Sequence, residues 1–257
     1  MEVVGDLLAR DRRSRETALV TASGSERTYH DLITNAYKAA NVLRHLGARE
    51  GSTVAIDPSP GVQPVLAFLG AARLGARVRF DPARGLAAGD RVVLVAAEDE
   101  GTFEPSPGTN LAVYGGPPER PGTTHWEQEL WSENPGTPPA SVGPTDPLFC
   151  STVDPAGDSE SVEITHAAAL STAGRIVEDC GLTADSRIVL RTTFAEPGTV
   201  VSSVVAASVV GGAVVLTDGS AEDGPPRGDL AVAADPDDGG PTSVPEPQRI
   251  APPAVFE

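Results

Sequence analysis

A chain of 257 residues with 40% apolar side chains is long enough for one large domain or two small ones around a buried core. Its 36 acidic residues against 19 basic ones leave a net charge of −17, which excludes a nucleic-acid reader, because phosphate binding needs a basic patch and none is visible. Two cysteines, Cys150 and Cys180, exclude a disulfide framework, and His30, His45, His125 and His166 show no metal-ligand spacing with one another or with the cysteines.

In chain order, the N-terminal residues Met1 to Asp6 lack the charged-then-apolar pattern of a signal segment, and the expected location is the cytoplasm. Ala18 to Val20 reads as a short strand and Ala22 to Ser25 as a turn. Thr28 is an N-cap, with Asp31 three residues on, able to reach back to the first amides. Tyr29, Leu32, Ile33, Ala36, Ala40, Leu43 and Leu46 recur at helical spacing, and Gly47 is placed to stop the helix. A strand is expected at Thr53 to Ile56. A second helical stripe follows at Val62, Val65, Leu66 and Leu69, ended by Gly75. Arg77 to Phe80, Arg91 to Ala97 and Leu111 to Tyr114 are further strands, the last two continuously apolar as befits strands buried on both faces. Gly115 to Thr145 is rich in Pro and Gly and reads as a surface connection with one amphipathic piece around Trp126, Leu130 and Trp131.

Thr165 can cap a helix with its stripe at Leu170, Ala173, Val177 and Cys180, stopped by Gly181. Ile188 to Leu190 is a strand. The apolar run Val200 to Leu216 is interrupted by Ser202, Ser203, Ser208, Gly211 and Gly212, so it reads as a buried helix and then a strand rather than as a membrane span. From Gly219 to Glu257 the chain is acidic and rich in Pro and Gly. Such a segment buries too little apolar area to offset its ordering entropy, so it is expected to be largely disordered, with a strand only at Leu230 to Ala234. Strand and helix alternate with short Gly-containing links, which predicts an α/β fold of doubly wound, mostly parallel sheets.

Several fragments carry a resemblance. Thr28-Tyr29-His30-Asp31-Leu32, the Ala40 to Gly47 segment, Gly51-Ser52-Thr53-Val54, Leu66 to Ala76 ending in Phe80-Asp81-Pro82, Trp126 to Leu130, Pro144 to Pro147 and Gly211 to Leu216 stand in the order found in the AMP-dependent synthetases and ligases. The stretch Phe149 to His166 resembles that family's phosphate-binding loop, Tyr/Phe-Thr-Ser-Gly-Thr-Thr-Gly-x-Pro-Lys-Gly-Val followed by Thr-His. The chain is thus similar to the first part of the adenylate-forming ligase N-terminal domain. The resemblance implies a ligase-like domain over 1–218, with sheet units of about 50–180 and of 1–49 with 185–217, and 219–257 as a tail.

The departures bear on activity. Counted back from Thr165-His166, Glu160 stands at the lysine position and Ser161 at the following glycine; Gly157 alone remains of the glycines. The family's glycines let backbone amides close around phosphate and its lysine adds positive charge. Asp154, Asp158 and Glu160 put negative charge there instead. These carboxylates and Pro155 predict a mobile, solvated relic, with convergence on a hard cation as the other reading. The resemblance leaves Ser151, Thr152, Gly157, Thr165 and His166 as the cofactor-binding positions, with no catalytic residue and no metal ligand. It implies ATP or AMP only as the family's nucleotide, and no resident cofactor is expected. His166 also reads as a helix-start residue kept by packing.

The expected function is that of a non-catalytic relative, a degenerate N-terminal-domain homologue that binds or regulates a full-length or complementary ligase chain, with neither nucleic acid nor membrane as partner. The alternatives are half of a split acid-CoA ligase and a small-molecule binder for acyl groups or nucleotides. A single lysine, Lys38, among so many carboxylates resembles haloarchaeal cytoplasmic proteins. Self-repulsion of this chain is relieved as the Debye length shrinks from about 10 Å at 0.1 M to about 3 Å at 1 M salt. The unfolding midpoint is therefore expected to rise from low to multimolar KCl; a flat response would remove the halophile reading.

Overall fold

The computed structural model describes residues 1–87, 89–136, 140–150, 163–217 and 227–253. A 3₁₀ turn at Val4–Leu8 buries Val4, Leu7 and Leu8 ahead of β1 (Thr17–Val20) and β2 (Glu26–Thr28). The first long helix, α1 (Tyr29–His45), starts on the expected box. The Asp31 N–H donates to Thr28 Oγ1 at 3.1 Å, and the Thr28 N–H donates back to the Asp31 carboxylate at 3.2 Å. The Thr28 hydroxyl hydrogen bond and the neighbouring cations hold the Asp31 carboxyl below its ordinary range. The helix stops at Gly47, whose φ of 95° lets the Ala48 N–H fold back on the Leu43 carbonyl.

Next come β3 (Thr53–Ile56), α2 (Val62–Leu74), β4 (Arg77–Arg79), β5 (Asp90–Ala96), β6 (Asn110–Tyr114) and β7 (Thr124–His125). Helix α3 (Trp126–Ser132) lies where the amphipathic piece was expected; Trp126 and Leu130 are buried, while Trp131, one residue further round, is 87% exposed. The chain continues through β8 (Pro147–Cys150), β9 (Glu163–Thr165), α4 (His166–Asp179) and β10 (Arg187–Leu190). The apolar run becomes α5 (Pro197–Val200), a π turn (Val201–Val205) and α6 (Ala206–Val210), then β11 (Ala213–Leu216). Its buried serines are satisfied locally: Ser202 Oγ donates to the Gly198 carbonyl and Ser203 Oγ to that of Thr199. Among the described residues no helix is long and apolar enough to cross a membrane. Two last strands are β12 (Leu230–Val232) and β13 (Gln248–Ile250).

The strands form two sheets, as the α/β reading predicts. One is six-stranded in the order β13-β12-β10-β11-β1-β2, parallel except for β1 with β2. The other is seven-stranded in the order β7-β6-β5-β3-β4-β8-β9, parallel except for β8 with β9. The chain divides into two compact units, one of residues 1–33, 59–65 and 167–257 and one of 34–58 and 66–166. This division differs from the expected 50–180 against 1–49 with 185–217, since the end of α1 joins the second unit while α4, after His166, joins the first.

Within the first unit, Tyr29 Oη donates to the Gly212 carbonyl at 2.7 Å and lies 3.2 Å from that of Ala207, closing the turn after α6; burial pushes this phenol up to about 12. Val20, Val189 and Val215 form an apolar cluster on neighbouring strands. The strand expected at Leu230 to Ala234 stands as β12, and the expectation of a loose tail needs correction at β13, which extends the sheet by parallel pairing with β12. The physical reason is charge pairing over a long separation. Arg191, after β10, and Glu246 make a two-point ion pair at 2.7 and 2.6 Å, with side chains 4% and 0% exposed.

Within the second unit, α1 and α2 meet at Gly70, where a Cβ would lie 2.8 Å from the Ala40 nitrogen, so the approach admits only glycine. Arg73 of α2 stacks over the Tyr37 ring at 4.8 Å. Ala55, Val93, Val95, Leu111 and Val113 cluster on one face of the sheet, with Leu86, Ala97 and Phe103 packed against them.

Candidate functional site

The stretch that resembles the phosphate loop joins two antiparallel strands. Pro147 pairs with Thr165, Phe149 with Ile164, and Cys150 with Glu163, so β8 and β9 form its two ends at one edge of the seven-stranded sheet. Phe149, the aromatic that opens the motif, is a core residue. It is fully buried, stacks on Phe68 of α2 at 5.4 Å with rings 6° apart, and lies in register with Val78 of β4. Phe80 completes the group at 6.3 Å from Phe68.

Of the residues singled out as cofactor-binding, Thr165 and His166 are described; Ser151, Thr152 and Gly157 lie outside the described residues, as do Asp154, Asp158 and Glu160. Thr165 ends β9 half-buried. His166 opens α4 and is 0% exposed, and its backbone N–H donates to the Asp146 carbonyl at 3.2 Å. Asp146 is itself fixed by a turn, its carboxylate accepting the Gly143 N–H at 2.7 Å. The two family-like pieces Pro144 to Pro147 and Thr165-His166 are therefore one joint, with the second strand returning to the base of the first.

Cys150 is half-buried at the end of β8, its sulfur 3.9 Å from the Val78 carbonyl and 4.0 Å from Thr53 Oγ1. Burial pushes the thiol up and the Asp90 charge adds to this, against Thr53 and the Arg77 and Arg79 guanidinium groups, so the sulfur is held as thiol rather than nucleophilic thiolate. At the loop end of the hairpin, Arg77 Nη1 meets Glu163 at 3.0 Å and Nη2 donates to the Gly51 carbonyl. Below it lies a buried network that sequence reasoning missed. Arg79 grips Asp90 through Nε and Nη2 at 3.1 and 2.6 Å, and its Nη1 reaches Asp81 at 2.7 Å. The one signal in the sequence is the alternation Arg77-Val78-Arg79-Phe80, polar on one sheet face and apolar on the other. Among the described residues no group of three or more His, Cys, Asp or Glu could hold a metal ion.

The sequence profile described as AMP-binding enzyme matches residues 8–231. The chain belongs to the AMP-binding enzyme family. This family chain is similar in structure to the anthranilate CoA ligase AuaEII in complex with anthranoyl-AMP, at TM-score 0.72 and 19% identity, over 90% of this chain and 49% of that one. It is similar to the Mycobacterium tuberculosis fatty acyl CoA synthetase at TM-score 0.72 and 21% identity, over 91% and 49% of the two chains. It is also similar to the N-terminal domain of FACL13 from M. tuberculosis, at TM-score 0.74 and 20% identity, over 91% of this chain and 63% of that domain. At these identities the likeness is one of fold. In sequence, a 61-residue stretch is 39% identical to a hybrid PKS-NRPS synthetase, pyvA, of Aspergillus violaceofuscus, 24% of this chain and 2% of that protein. The AMP-binding-family chain spans about half the length of the two full-length ligases.

Proposed function

We propose that this AMP-binding-family chain does not itself activate a carboxylate, and that it acts as a binding or regulatory partner of a full-length or complementary ligase chain. The observation that carries the reading is the composition of the loop. Glu160 and Ser161 stand in place of lysine and glycine, with Asp154 and Asp158 beside them. Two like charges about 4 Å apart repel by about 1 kcal/mol in water and about 4 kcal/mol near a protein surface, which opposes a nucleotide's phosphates. The upward push on the Cys150 thiol is in keeping with the reading, since it disfavours a nucleophilic thiolate beside the loop. ATP and AMP enter only through the family.

The test is release of pyrophosphate by the pure chain with ATP and a panel of carboxylates. The expected result is background. Turnover by the pure chain would overturn the proposal, and turnover that appears only when a second chain is added would favour half of a split acid-CoA ligase.

A further inference from the structure

Away from the hairpin, a shallow, solvent-open cavity lies in the second unit between the end of α1 and the segment after α3, lined by Asn41, Arg44, His45, Arg49, Glu133, Asn134 and Gly136. We propose that it is a binding site for a phosphate group, free or carried by a small organic molecule. Arg44, His45 and Arg49 are exposed, and no hydrogen bond or ion pair engages their side chains among the described residues. Acidic residues outnumber basic ones almost two to one in this chain, and Arg77, Arg79, Arg120, Arg187 and Arg191 are each paired with a carboxylate. Arg44 and Arg49 have no such carboxylate pairing and line the same cavity, and the planar guanidinium fork matches phosphate oxygens in pairs.

The cavity wall is built. Asn41 Nδ2 donates to the carbonyls of Asn134 at 2.9 Å and Gly136 at 3.1 Å, tying the segment after α3 back onto α1. Arg49 lies past the helix on a fixed turn, its N–H donating to Ser52 Oγ at 2.8 Å while that hydroxyl donates to the Arg49 carbonyl. The negative end of the α1 dipole would attract Arg44 and His45 and oppose an anion. Here it is blunted, because the carbonyls of Val42, Leu43, Arg44 and Leu46 already accept from Leu46, Ala48, Gly47 and Asn110. Glu133 is the one carboxylate on the lining, and one of its oxygens accepts the Asn134 N–H at 2.9 Å. None of these residues belongs to the loop, so the site stands independently of the chain's activity toward ATP.

The experiment is calorimetric titration of the full chain with inorganic phosphate, and separately with ribose 5-phosphate, each against chloride at matched ionic strength. Saturable one-site binding is expected, weakened at least tenfold in the Arg44→Gln, Arg49→Gln double variant. A second double variant, Arg27→Gln with Arg84→Gln, removes the same charge from exposed positions elsewhere and should bind as the parent does. Tighter binding of ribose 5-phosphate would identify an organic phosphate as the ligand, and equal binding the free ion. No saturable heat, or equal weakening in both double variants, would overturn the assignment.

Discussion

Replacing Glu246 with glutamine is expected to destabilise the chain by about 3–5 kcal/mol, the cost of leaving one partner of a buried ion pair uncompensated. The Arg191 guanidinium would keep its charge in a site where it is 4% exposed, with the partner position 0% exposed. The loss matters against a total stability of about 5–15 kcal/mol. It would spread along the sheet edge, because the Arg191 N–H donates to the Val232 carbonyl and the Ala233 N–H to that of Ile250, which tie β10, β12 and β13 together. Urea unfolding at neutral pH checks the size, and β13 should lose amide protection first. The pH dependence has a definite sign. Burial tends to raise the Glu246 carboxyl, but the hydrogen bonds from Arg191 and the Arg227 N–H outweigh it and hold the group below its ordinary 4.5. A depressed carboxyl contributes stability that is fully present above the unfolded pKa and is lost as pH falls through the folded one. The gap between parent and variant should therefore be constant above about pH 5 and narrow below about 4.5. A gap that stays constant into acid, or a variant as stable as the parent, would show that the pair does not hold the tail.

The second large effect is expected at Asp90. Its carboxylate is 0% exposed, accepts two hydrogen bonds from Arg79 and a third from the Ala87 N–H at 2.7 Å, and so fixes both ends of the short link between β4 and β5. Asp90→Asn keeps the shape and removes the charge, leaving Arg79 with Asp81 alone. A loss of about 3 kcal/mol is expected. Arg79→Leu with Asp90→Leu removes both charges together, so it should cost far less than the sum of the single changes, as happens when a buried pair is replaced by apolar groups. Denaturant unfolding of the parent, Arg79→Leu, Asp90→Leu and the double variant closes the cycle. Additive single losses would mean that the two side chains act independently.

Much of the fold is legible in local chemistry. The Thr28 to Asp31 box, the stop at Gly47 and the buried Val200 to Val210 run each rest on groups a few residues apart, and each stands in the structure as its residues suggest. The short edge strands were not legible. Glu26 to Thr28, Thr124 to His125 and Glu163 to Thr165 have no apolar alternation to announce them, and they become strands because a neighbour supplies the ladder. Gln248 to Ile250 is the clearest case. Its composition suits a loose tail, and the distant Arg191, 55 residues before Glu246, together with the guanidinium of Arg249 on the Pro241 and Ala234 carbonyls, decides otherwise.

At the site, the motif frame was legible, and so was His166 as a helix start kept by packing; the core role of Phe149 was not. Phe149 and His166 match family positions in sequence; in the structure Phe149 is a stacking core residue, and His166 is the buried helix start that its position suggested, its backbone closing the base of a hairpin. The sequence by itself determined the family, the order of helices and strands, and the loss of lysine and glycine from the phosphate loop, because each of these is written in residue identity or short-range spacing. Only the tertiary structure decided which distant charges meet: Arg79 with Asp90, Arg191 with Glu246, and Arg44 beside Arg49 on one cavity. A buried charge is tolerated only where a partner of opposite sign is brought to it, and that placement is set by sheet order and loop path rather than by neighbours in the chain.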